Sequence, residues 1–382
     1  MFKKTIFEII KFISKKYKID NLNNKAKENV FLHYKKSHYL VVYFVKISIY
    51  LINVYSIIFF RRFFLKLDSK NKEKLFNQIF NLSLLKQDKL FLLFHAIITL
   101  HTDFEEKQKK LKINDTIKNH QYFENIIIGS GPSGSVTGLK LAEKKRKTLI
   151  LEKGDFYKNF KLKHPGKEFL TKWEFGGLSS SLGNAQIKYA SGECFGGGSE
   201  INSGLFHEPD KNFIKKLVKN YQVKNLYHKN LIENLKLLKK LVKVNSMKNQ
   251  KDKVTNLMFQ TSKKIGWDFE RVPRFLTKNY KKSSMSNTLL KKYIRYGGKI
   301  SLNSTVRDIK KINGKWSLEI NKNNKIYNLN CKNLFLCAGT INTISLLKNN
   351  KLLKNKSYSS FHFHPMIKIK TKFPKKINSK KF

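Results

Sequence analysis

The stretch Phe123–Gly154, FENIIIGSGPSGSVTGLKLAEKKRKTLILEKG, decides the fold. Its apolar run Phe123–Ile128 predicts a strand, Pro132–Lys145 a helix, and Thr148–Leu151 a second strand. Gly129, Gly131 and Gly134 stand between strand and helix in G-x-G-x-x-G spacing, with Ser130 and Ser133 completing the loop as further contact candidates. Gly129 permits the tight turn, Gly131 lets backbone approach a pyrophosphate, and Gly134 with Gly138 lets the helix pack closely on the sheet. The helix N-terminus adds N–H groups and positive dipole for phosphate. Glu152, at the end of the second strand, stands where a carboxylate accepts hydrogen bonds from a ribose diol. An acid there disfavours a 2′-phosphate, so FAD and NAD both fit this unit and NADP does not.

From Phe123 onward, short apolar runs alternate with helical patterns, the texture of an α/β core. Asp210–Lys264 reads as helical. Lys299–Asp308, Lys315–Ile320 and Lys325–Cys331 alternate like strands, and Asn333–Cys337 reads as a buried parallel strand leading into a helix from Ile341. No internal repeat is visible.

A second glycine cluster, SGECFGGGSEINSGLFHEPDKNF (Ser191–Phe213), closely resembles the first signature of the glucose/methanol/choline (GMC) oxidoreductases, especially the cholesterol-oxidase-like members. Gly196, Gly197 and Gly198 can bring backbone amides against a flavin and its pyrophosphate. Ser199, Asn202 and Ser203 belong to the same candidate site, Ser199 and Asn202 through side-chain hydrogen bonds. The segment NLFLCAGTINTISLLKNN (Asn333–Asn350) resembles the family's strand, Ala-Gly turn and helix, which implies Ala338 and Gly339 near the adenosine half. By the same resemblance, LNSTVRDI (Leu302–Ile309) is the strand whose Val306 backbone reads the adenine edge. SSFHFHPMIKI (Ser359–Ile369) resembles the family's His-Pro return to the substrate domain, giving His364 and Pro365 a structural role, with His362 beside them.

The resemblance covers roughly Phe123–Phe373, and Phe63–Glu105 faintly resembles the helical region of long-chain alcohol oxidases. It departs at Ile344, where the family has Pro or Ser, and in ending at Phe382, before the part that carries the family's catalytic His and its Asn or His partner. No catalytic residue is therefore assigned. The expected fold is α/β: a helical region 1–120, a Rossmann-like FAD-binding domain 121–363 with helical insertions at about 155–190 and 210–298, and an incomplete substrate domain 364–382.

The resemblance implies FAD as cofactor and hydride transfer from an alcohol, sugar or sterol-like substrate to flavin N5, with the electron acceptor unassigned. The alternatives are a non-catalytic flavin-binding subunit, or half of a split enzyme completed by a C-terminal polypeptide. An NAD-dependent dehydrogenase is disfavoured by Gly196–Ser199.

Outside that core, Tyr39–Phe60 (YLVVYFVKISIYLINVYSIIFF) is the strongly apolar stretch, flanked by Lys35, Lys36, Arg61 and Arg62. Its length suits a bilayer span of ~20 residues. Lys46 and Asn53 inside it argue against depth in hydrocarbon. Span, interfacial helix and buried helix all remain open. Met1–Lys18 is basic and amphipathic without a clean apolar run and cleavage site, so no secretory signal is expected. The expected location is cytoplasmic, with membrane association through residues 39–60.

The net charge of +52 and pI ≈ 10.1 come from lysines scattered through every segment. Nucleic-acid sites favour Arg, which is scarce here, so this is a solvated lysine surface and no nucleic-acid partner is expected. Cys194, Cys331 and Cys337 have no disulfide or zinc-ligand spacing, and no metal site is expected.

Overall fold

A computed structural model describes residues 2–19, 22–81, 88–101, 117–157, 165–181, 187–221, 227–246, 253–277, 279 and 281–353. His362, His364, Pro365 and the rest of residues 364–382 lie outside the described residues.

Among the described residues, five α-helices come first: α1 (Phe2–Lys16), α2 (Asn24–Lys36), α3 (Tyr39–Phe60), α4 (Ser69–Asn81) and α5 (Asp88–His101). On α1, Ile6, Ile9, Ile10 and Ile13 recur at helical spacing and are fully buried. Each contributes roughly 2 kcal/mol of burial. They meet Val30 and Tyr34 of α2, Phe76 of α4, and Phe91 and Phe94 of α5 in one cluster. Asn23 caps α2 by accepting the Ala26 N–H at 2.8 Å. Tyr39–Phe60 is one unbroken helix with Val45, Ser48, Ile49, Ile52, Asn53 and Ser56 buried and its opposite face exposed.

The sheet follows: β1 (Gln121–Ile128), α6 (Pro132–Glu143), β2 (Thr148–Leu151), α7 (Pro165–Lys172), the two-residue strands β3 (Ser179–Ser180) and β4 (Lys188–Tyr189), and α8 (Gly198–Ile201). Then come α9 (Lys211–Tyr221), α10 (His228–Val242), α11 (Lys253–Lys264), α12 (Leu289–Arg295), β5 (Lys299–Ser301), β6 (Ser304–Ile312), β7 (Lys315–Lys322), β8 (Lys325–Leu336) and α13 (Thr340–Asn349).

Six strands form one sheet in the order β5-β2-β1-β8-β7-β6. The first four run parallel and the last three form an antiparallel meander. The meander turns at Asn313-Gly314 and Asn323-Asn324, each pair with both φ positive, the geometry of tight two-residue hairpins. Alternation sorts the core onto two faces. Ile127 and Ile150 pack with Leu139, Leu290 and Tyr293, while Ile126, Ile128, Leu149 and Leu151 pack with Leu318, Ile320 and Leu329 of the meander.

The structure redraws two strand boundaries. The run read as Lys299–Asp308 breaks at Leu302-Asn303, where Asn303 takes φ 51° and its N–H reaches the Gly154 carbonyl. Conversely, Lys325–Cys331 and Asn333–Cys337 are one strand, β8. Its Leu329–Cys331 pair with β7 on one side and β1 on the other. Leu334–Leu336 are half-buried rather than buried.

Candidate functional site

The strand β1 ends in Gly129, whose φ of 101° belongs to the region that side chains avoid. Its N–H donates to the Leu151 carbonyl at 2.8 Å, and a Cβ there would stand 2.4 Å from the Cys337 carbonyl oxygen. Turn, β2 and the end of β8 are thus pressed together. Gly134 lies still closer, since its Cβ would fall 1.9 Å from the Gly129 carbonyl oxygen. Gly138 seats α6 on Ile150 and Tyr293. A Cβ at Gly131, in contrast, would meet no atom within 4 Å. Gly131 is the residue before α6, Pro132 opens the helix, and no side chain caps it. The first-turn N–H groups of this 12-residue helix thus have no side-chain cap.

The second glycine loop closes on the first. A Cβ on Gly197 would lie 2.9 Å from the Gly131 Cα, so the two loops touch backbone to backbone. The Gly196 N–H donates to Ser130 Oγ at 2.9 Å, and Ser130 Oγ in turn donates to Glu152 Oε2. Glu152 Oε2 also accepts the Ser130 N–H at 3.0 Å, and Oε1 accepts the Gly154 N–H at 2.8 Å. Burial pushes the Glu152 carboxyl up, opposed by these three donors. A carboxylate has about four acceptor positions, so one remains for a hydroxyl.

Ser199 Oγ donates to the Gly196 carbonyl at 2.7 Å and accepts the Met285 N–H at 3.0 Å. Its proton is thereby engaged within the protein. Asn202 Oδ1 accepts the Gly204 N–H at 3.1 Å, leaving the side-chain amide protons for other partners. Ser203 is exposed and does not line the cavity described below.

Three further segments reach the same sheet end. Ser304, at the start of β6, donates its N–H to the Glu152 carbonyl at 2.9 Å, which sets the start of the strand that carries Val306 beside Glu152. Val306 is half-buried and sits at a register shift against β7. Ala338 Cα lies 3.1 Å from where a Gly129 Cβ would be, and Gly339 leads into α13 with open space around it. Loops after β1, β2 and β8 thus gather at the carboxyl ends of the parallel strands, where α/β sheets bind ligands.

A cavity of ≈ 450 Å³ adjoins this junction, walled by Ser133 and Val136 of α6, Ser199, Asn202, Phe275, Lys282 and Met285. Phe275, Lys282 and Met285 were not among the residues singled out from sequence. Lys282 Nζ donates to the carbonyls of Glu200 and Asn202, at 2.8 and 2.5 Å. Burial pulls its ammonium down to about 8 despite the nearby Glu200 carboxylate. Nothing in KKSSMSN (Lys281–Asn287) separates this lysine from its many neighbours in a lysine-rich chain.

A dinucleotide fits this arrangement. Open space at Gly131 and Gly198 gives a pyrophosphate access to backbone, and Glu152 retains capacity for a ribose. The adjoining cavity offers ≈ 450 Å³ with Phe275 and Met285 in its wall.

The sequence profile described as GMC oxidoreductase matches residues 123–366. An uncharacterized GMC-type oxidoreductase of Sinorhizobium fredii is 24% identical over 273 residues, which cover 66% of this chain and 54% of the relative. The chain therefore spans about half the length of the curated relative it matches. Among solved structures, formate oxidase of Aspergillus oryzae is 12% identical with a TM-score of 0.44, over 60% of this chain and 48% of that one. A flavoprotein/dehydrogenase from Cytophaga hutchinsonii is 13% identical with a TM-score of 0.25, over 57% and 40% of the two chains.

Proposed function

This chain belongs to the GMC oxidoreductase family, whose members bind FAD, and from that premise we propose that it holds FAD and serves oxidation of a CH–OH group. The observation that carries the cofactor half is the contact of the Gly131 and Gly197 backbones, with open space beside Gly131 and Gly198. On this reading, the α6 N-terminus and the Gly196–Gly198 amides bind the pyrophosphate, and the Val306 and Ala338-Gly339 segments border the adenosine half. Glu152, oriented by Ser130 and Gly154, takes a ribose hydroxyl. Asn202 and Lys282 face the ring from the cavity wall, Lys282 as a cation that favours an electron-rich ligand.

When bound, FAD supplies a hydride acceptor at N5 for the substrate carbon. The hydroxyl proton needs a base, and Lys282 is the titratable group that lines the cavity among the described residues. That lining favours a second reading, in which this chain is the flavin-binding half and further polypeptide supplies the base. The substrate class proposed is an alcohol, sugar or sterol-like molecule.

The test is the visible spectrum of purified protein, followed by anaerobic mixing with primary alcohols, sugars and sterols. Bound FAD that bleaches with one class supports the first reading, and bound FAD that bleaches with none supports the second. Protein that neither retains FAD nor reconstitutes with it, yet binds NAD, rejects both.

A further inference from the structure

The helix α3 is inside out relative to an ordinary surface helix. Its buried face carries Ser48, Asn53 and Ser56 between Val45, Ile49 and Ile52. Its outer stripe carries Tyr39, Tyr43, Ile47, Tyr50 and Ile57, exposed by 69, 65, 47, 69 and 43%. These five positions fall on one side of the helix at three-, four- and seven-residue steps. Ile58, Phe59 and Phe63 extend the apolar surface at its end. A soluble surface rarely leaves so continuous an apolar strip in water.

Cations frame that strip. Lys35 precedes it, Lys46 sits within it, and Arg61, Arg62 and Lys66 follow it, all exposed. A cavity of ≈ 510 Å³ opens at its start, walled by Lys35, Lys36, Tyr39, Tyr43, Lys46 and Phe175, with Glu193 at its edge. Glu193 is already held by Lys153 at 2.9 Å and Lys36 at 3.7 Å, so the cavity keeps a net positive lining. Tyrosine and lysine are the side chains suited to the headgroup level of a bilayer, with an apolar body below and a polar tip above.

We propose that the outer face of α3 docks flat on an anionic phospholipid bilayer, with a lipid headgroup phosphate entering the Lys35–Lys36–Lys46 cavity. The occupant is a lipid surface rather than a second copy of the chain, because a self-complementary patch would set these cations against one another. Docking rather than crossing follows from packing. Val45, Ile49 and Ile52 are at most 5% exposed against the helical core, so α3 cannot be ringed by lipid without dismantling that core. Length and composition alone would permit a span.

Co-sedimentation of the full chain with vesicles tests this. Binding to phosphatidylcholine containing phosphatidylglycerol is expected to exceed binding to phosphatidylcholine alone, to fall with added salt, and to reverse in alkaline carbonate. The triple variant Tyr43→Glu, Ile47→Glu, Tyr50→Glu, checked by circular dichroism for retained helix, should lose at least tenfold in partitioning, roughly as expected for charge set on an interfacial apolar face. Should the triple variant unfold, Arg61→Glu with Lys46→Glu asks the same question through charge and should abolish the preference for anionic vesicles. Equal binding to neutral and anionic vesicles, or wild-type binding by the folded variants, overturns the proposal. Retention through carbonate overturns it in favour of a span. A vesicle-free dimer that the triple variant dissolves overturns it in favour of self-association.

Discussion

The helical region before residue 101 and the sheet region after residue 117 both have side-chain cores, but they differ at their tightest contacts. In the first, side chains fill space: isoleucines and phenylalanines of α1, α2, α4 and α5 share one cluster. In the second, side chains are removed so that backbones touch, as at Gly129, Gly134 and Gly197. Volume-conserving apolar swaps in the first should therefore be tolerated at below ~1.5 kcal/mol each, whereas one methyl group at Gly129 or Gly134 in the second should be ruinous.

The largest expected effect is at Gly134→Ala. Its Cβ would fall 1.9 Å from a backbone oxygen that cannot turn away. A loss of roughly 3 kcal/mol or more, or no soluble protein, is expected from overpacking of this kind. Urea denaturation checks it, and a midpoint equal to wild type would erase the contrast between the two regions.

Next is Ser130→Ala, which deletes the hydroxyl joining Glu152 to Gly196. A buried carboxylate loses one donor and a glycine loop its anchor, a cost of about 1–3 kcal/mol. The same denaturation experiment, with and without FAD, should show the larger deficit in the presence of FAD. An equal deficit in both would make Ser130 a purely structural joint.

The smallest effect lies where the two regions meet. His33 Nε2 is 2.7 Å from the Gly176 carbonyl and must donate to it, so Nδ1 accepts from His101 Nε2–H at 2.9 Å. Burial holds His33 below its ordinary value. It takes His101 down to about 3, with the neighbouring His33 adding to the shift. Both folded values are lowered, so below about 6.5 the unfolded chain binds protons that the folded pair refuses, and stability falls with pH. By pH 5.5 the loss at His101 is about 1 kcal/mol, and the lowered His33 adds to it in the same direction. Melting temperature measured from pH 7.5 to pH 5.5 should drop in wild type and flatten in His33→Gln, His101→Gln. Parallel profiles would remove the pair from the account.

How much of this was legible follows the same division. Phe123–Glu152 could be read because strand, turn, helix and acid are contiguous, so spacing alone encodes the geometry. Hydrogen bonds between residues 66, 68 and 80 positions apart, Ser130 with Gly196, His33 with His101 and Lys282 with Asn202, leave no trace in local spacing. β8 reads as two strands because Asn330–Asn333 is polar around Cys331. It runs through because Leu329 and Cys331 are buried between β1 and β7, while Lys332 is exposed and the Asn333 side chain donates to Asn125 Oδ1 of β1 at 3.0 Å. For α3, length was legible and direction was not. Apolar residues lie all around the helix, so periodicity could not say which face turns inward.

On the function proposed above, the paired glycine loops are a cradle for FAD pyrophosphate rather than a packing device. Titration of FAD into wild-type protein and Gly131→Val tests this, because a Cβ at Gly131 would meet no protein atom within 4 Å. Unchanged melting of the apoproteins is expected, with FAD affinity reduced roughly 100-fold or more, as befits bulk set where backbone must approach phosphate. Undiminished FAD binding by a folded Gly131→Val would contradict it.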